Sequence, residues 1–231
     1  MKHIVLALAA TGLLLSSGQA FAQSDGRPTG AGRDSNDFSD RFNMERLVHN
    51  PENAASTYRA SIQEASCVVN ISGDRSADLI GGELTDDPRF RDLTRAMSQR
   101  YSACVRDPSG RVMPIMLSGA IAEQLLLEQP AESFEDRASS VNVNDAEAFH
   151  GNLAEGVTMA KIAACVAVYS PGLVRKVLDT EVGSATEGEA LDAAYRATPE
   201  CGLPARPASI PEAFQRGALA EALLLWRERS E

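Results

Sequence analysis

The chain is short of the residues that catalytic, metal and nucleic-acid sites need. Its 231 residues hold three lysines, three histidines, one tryptophan and four cysteines. Lysine occurs at 2, 161 and 176, so no basic stripe exists, and the net charge is −10. That argues against a nucleic-acid partner, whose phosphates must be neutralised by clustered Lys and Arg. It also argues against anionic lipid headgroups. His49 stands just before a helix cap and His150 just before Gly151, both in polar surroundings. Each is expected to be a solvated loop histidine rather than a general base.

Chemical motifs are missing as well. There is no Gly-x-Ser-x-Gly elbow, and Leu117-Ser118-Gly119 is not a substitute. Thr158-Met159-Ala160-Lys161 is only a chance relative of Ser-x-x-Lys. Gly81-Gly82 is too short for a phosphate loop, and Asp86-Asp87 lacks the alternating oxygens of a calcium loop. No Cys-x-x-Cys is present, which argues against zinc. The expectation is no catalytic residue, no cofactor and no metal.

Long hydrophobic runs are absent too. Ile4 to Leu15 is apolar over about a dozen residues, too short to span a bilayer. It follows Lys2 and His3 and precedes Ala20-Phe21-Ala22, so residues 1–22 read as a signal peptide. No Cys follows the apolar run, which argues against a lipoprotein. The mature chain is expected to start at Gln23 and to be periplasmic or secreted, with no stable membrane insertion once the signal is removed. Loss of Lys2 takes the net charge from −10 to −11.

What the chain does contain is a repeat. Gly119-Ala120-Ile121-Ala122-Glu123-Gln124-Leu125-Leu126-Leu127 returns as Gly217-Ala218-Leu219-Ala220-Glu221-Ala222-Leu223-Leu224-Leu225, 98 residues later. Seven of the eleven positions from Leu117 and Gln215 are identical. Cys67 matches Cys165 at the same offset, and Cys104 matches Cys201 at one residue less. Four cysteines in an exported chain imply two disulfides with three possible connectivities. A bridge copied with its unit selects Cys67–Cys104 and Cys165–Cys201, each worth about 3–4 kcal/mol of loop entropy.

Period-two alternation is lacking throughout, so the fold is expected to be all-α: duplicated four-helix units, each braced by one disulfide, packed with pseudo-two-fold symmetry. Residues 23–48 form a disordered or loosely docked leader, in which Phe38, Phe42, Met44 and Leu47 could make a docking turn. Unit 1 covers 49–129, a connector 130–151, and unit 2 152–231. Asn50-Pro51-Glu52 opens the first helix, which carries Ala55, Tyr58, Ile62, Ala65 and Val69 and ends at Gly73. A short helix over 74–80 and a third from Asp86-Asp87-Pro88 to about Ala103 precede the repeat helix. In unit 2 the pattern predicts helices over 153–169, 173–179 and 187–197. A capping box at Ser209-Ile210-Pro211-Glu212 opens the last.

One pair of residues stands out. Helical phase puts Glu123 and Glu221 on the apolar faces of the two repeat helices. Ser118, Ala122 and Gln129 then face solvent on one, and Arg216, Ala220 and Arg227 on the other. Gly119 and Gly217, one turn before the glutamates, allow another helix to approach closely. No Arg or Lys recurs to serve both copies, so each carboxylate is expected to be structural and to accept backbone N–H groups from a helix end or turn of its own unit. The functional expectation is a non-catalytic binding or interaction module of the cell envelope, its partner an unknown envelope protein or small ligand. The alternative is an acid–base hydrolase of envelope glycans, using Glu123 and Glu221 about 5–10 Å apart.

Overall fold

The computed structural model describes residues 44–81, 88–106 and 113–230. The signal segment, Phe38, Phe42, Asp86-Asp87 and the turn at 107–110 lie outside them. The described residues are helical, with no strand among them.

Helix α1, Pro51–Ser72, begins where Asn50 Oδ1 accepts the Asn53 N–H at 3.0 Å, and ends at Gly73, whose φ of 56° a side chain would resist. A 3₁₀ helix, Gly73–Leu79, follows. Helix α2 is Pro88–Ser98, shorter than its sequence pattern, and a 3₁₀ turn over Ser102–Cys104 replaces its expected end. Helix α3, Pro114–Leu127, is the first repeat helix.

The connector is not featureless. It holds a 3₁₀ turn, Ala131–Ser133, and helix α4, Val143–His150, capped by Asn142 Oδ1, which accepts from the Asn144 and Asp145 N–H groups. Polarity conceals α4, because Ala146 and His150 are its only buried residues. His150 is thereby a buried histidine rather than a solvated one, with 8% of its surface exposed and its Nδ1 2.7 Å from Gly151 O. Helix α5 starts at Met159, not Leu153, since Thr158 Oγ1 caps it by accepting from the Lys161 N–H. Helix α6 is Pro171–Leu178, α7 Ala185–Arg196 and α8 Glu212–Ser230, the second repeat helix. The box expected at Ser209 does not form: Arg206 engages the Glu212 carboxylate instead. In this half the side-chain N-cap is Ser184, whose Oγ accepts the Glu187 N–H at 3.2 Å while the Glu187 carboxylate reaches back to the Gly183 N–H.

Two disulfides brace the helices. Cys67 on α1 is joined to Cys104, with a Cα–Cα distance of 5.5 Å. Cys165 on α5 is joined to Cys201, at 5.7 Å. Both bonds stay within one half of the chain.

The core is a row in which α1 packs on α3, α3 on α8 and α8 on α5. The repeat helices therefore sit in the middle, and one hydrophobic cluster runs through both halves. Position in the row explains why the expected solvent arcs are wrong. Ser118, Ala122, Arg216 and Ala220 are all buried, because α3 and α8 are covered on both flanks.

The two repeat helices cross at their glycines. A Cβ on Gly119 would lie 2.5 Å from Gly217 Cα and 2.8 Å from its carbonyl oxygen, so backbone meets backbone. A Cβ on Gly217 would instead meet Tyr58 Cε2 at 3.1 Å, a milder contact with a side-chain ring rather than with backbone. Gly119→Ala is therefore expected to cost about 3 kcal/mol, a fall in Tm of roughly 6–12 °C. Gly217→Ala is expected to cost about 1 kcal/mol. Thermal unfolding of the two variants checks the order; equal losses would mean the crossing is looser than described.

Candidate functional site

The residues around the crossing form a buried polar cluster. Glu123 on α3 is 1% exposed, and Arg216 on α8, one residue before the crossing glycine, is also 1% exposed. Burial of either charge alone would be expensive, and each needs a partner. They supply one another. Arg216 Nε donates to Glu123 Oε2 and Nη2 to Oε1, each at 2.8 Å, a bidentate pair. Tyr58 on α1 donates its hydroxyl to Glu123 Oε2 at 2.9 Å.

The rest of the guanidinium caps another helix. Nη1 donates to Val177 O at 3.0 Å and Nη2 to Leu178 O at 2.8 Å, and both reach Thr180. These groups lie at and just beyond the C-terminal end of α6, where Val177 O also accepts from the Thr180 N–H and hydroxyl. Nη1 also donates to Glu187 Oε1 at 3.1 Å. Glu187 is held from its other side, where Oε2 accepts the Gly183 N–H at 2.6 Å in the first turn of α7.

A second buried arginine extends this pattern. Arg175 on α6 donates from Nη1 to Leu126 O at 3.0 Å and Gln129 O at 2.8 Å, capping α3, and from Nε to Asp179. Arg216 of α8 thus holds α6, Arg175 of α6 holds α3, and Glu123 of α3 holds Arg216. The three helices are tied in a ring.

The cluster shifts its own titration. Burial, then the neighbouring Glu123 charge, push the Tyr58 phenol well above its ordinary range. Burial pulls the Arg216 guanidinium down, but the hydrogen bond and charge of Glu123 outweigh it and leave Arg216 above its usual value. Burial likewise raises the Tyr195 phenol.

Glu123 is therefore on a buried face, as its helical phase requires, but with different partners from those expected. Its donors are a guanidinium and a phenol, not backbone N–H groups, and the cation comes from the other half of the chain. Glu221 is half-buried and accepts from Ser118 Oγ at 2.9 Å, while Ser118 Oγ accepts the Gly81 N–H at 3.2 Å. Tyr58, Glu187 and Arg216 were not singled out as site residues. The Ser184-x-x-Glu187 pattern could have revealed Glu187 as a capping residue. Arg216 carried no such signal, because single-helix phase placed it in solvent.

Chemically the cluster is saturated. Both oxygens of Glu123 are engaged and almost nothing of it is exposed, so it has no surface on which to meet a glycan. Among the described residues no group of His, Cys, Asp or Glu could hold a metal ion, and no helix is long and apolar enough to cross a membrane.

The described residues also line an open groove of about 260 Å³ between the connector and the end of α8. Phe134, Pro171 and Trp226 form its apolar wall, with Ser139, Ser140 and Ser230 at its rim. Trp226 stands against Phe149, ring centroids 5.1 Å apart, and Arg227 lies 4.6 Å over the Phe134 ring. No protein-family model, curated protein or solved structure matches the chain.

Removing Arg216 leaves the buried carboxylates of Glu123 and Glu187 without their shared cation, so Arg216→Ala is expected to cost about 3–5 kcal/mol. Tyr58→Phe, which removes one hydrogen bond to a charge, is expected to cost about 1.5–3 kcal/mol. Urea unfolding measures both, and a stability loss smaller for Arg216→Ala than for Tyr58→Phe would contradict the clasp.

The raised phenols also set an alkaline limit. Folded pKa values above the unfolded ones mean that their contribution is complete below about pH 10 and is lost as pH rises beyond it, because only the unfolded chain then releases the protons. Stability is expected to fall by about 1.4 kcal/mol per pH unit for each phenol. Urea titrations between pH 9 and 12 should give a slope shallower by one proton in Tyr58→Phe; an unchanged slope would place Tyr58 in water.

Proposed function

We propose that the chain is an exported, non-catalytic interaction module of the cell envelope, which binds an envelope protein or a small ligand at the groove beside Trp226. The observation that carries this is a division of labour. The buried ionisable groups hold one another and the helix ends, while the half-buried Pro171 and Trp226 line an open groove above the buried Phe134 ring. Aromatic side chains in a concave patch are the usual anchors of binding energy. The two disulfides suit an oxidising compartment, and the apolar segment at 4–15 with its Ala20-Phe21-Ala22 site supplies the route there.

The scaffold is read as two copies of one four-helix unit about a pseudo-two-fold axis at the Gly119–Gly217 crossing. Reciprocity across α3 and α8 supports this. Arg216 and Ser118 are equivalent positions, 98 residues apart, and each reaches the glutamate of the opposite copy. Each also binds the end of the short helix in its own half, Arg216 at Val177 to Thr180 and Ser118 at Gly81. The bridges Cys67–Cys104 and Cys165–Cys201 correspond in the same way.

Two experiments follow. A protease site placed at Pro130–Ala131, where the connector is exposed, cuts between the halves without crossing a disulfide. The cut protein is expected to remain a single folded species in gel filtration and to separate only in denaturant. Halves that part in plain buffer would show that the crossing does not hold them.

The second experiment uses Trp226, the single tryptophan of the chain. Its emission, titrated with fractionated envelope proteins and soluble envelope glycans, is expected to shift with the binding fraction. Trp226→Ala is expected to weaken that binding at least about tenfold by calorimetry, as loss of an aromatic anchor does. Hydrolysis of an envelope glycan by the purified protein, or binding indifferent to Trp226→Ala, would overturn the proposal.

A further inference from the structure

We draw no further inference here: the strongest candidate, the open aromatic groove between the connector and the C-terminal end of α8, belongs to the site already described, and nothing in the structure shows what covers it.

Discussion

A guanidinium with almost no exposed surface is the constraint to which the rest of the fold answers. Arg216 sits one residue before the glycine at which α3 and α8 touch backbone to backbone. It cannot swing to water without separating the two helices. Its charge must therefore be met inside, and Glu123, Glu187 and the C-terminal end of α6 meet it together. Glu187 reaches it from the first turn of α7, whose start Ser184 caps. Tyr58 of α1 points inward too, where its ring lies over Gly217 and its hydroxyl reaches Glu123.

Such clusters are weak sources of net stability, because desolvation of the ions offsets most of their attraction. Their effect is geometric. An apolar crossing centred on two glycines would tolerate sliding by one helical turn, since leucine and alanine recur along both helices. Bidentate pairing of Arg216 with Glu123 fixes the register, and the ring through Arg175 fixes α6 against both. The aromatic groove lies at the edge of this core, walled by the connector and the last turns of α8.

Much of this was legible in the sequence. The all-helical class followed from the missing alternation, and α1 followed from Asn50-Pro51 at one end and Gly73 at the other. The apolar excess of 153–169 marked a helix, which the structure confines to Met159–Tyr169 and buries from Ile162 to Val168. These are local facts: caps, backbone freedom and periodicity act within a few residues. Where local signals competed, boundaries moved. Thr158 captured the start of α5, and the mixed polarity of the connector hid α4.

The partners of the two glutamates belong to the other category. Helical phase says which residues share a face, and it put Glu123 on an apolar one. It cannot say what covers the opposite face, so it assigned Arg216 to solvent. Only the packing of α8 between α3, α5 and α6 closed that arc and brought together residues 93 positions apart. The sequence by itself determined the all-helical class, both ends of α1 and the glycines at which α3 and α8 touch. The tertiary structure decided which charge lies against Glu123, because a buried ion pair is selected by what remains beside it when water is excluded, and that depends on every helix at once.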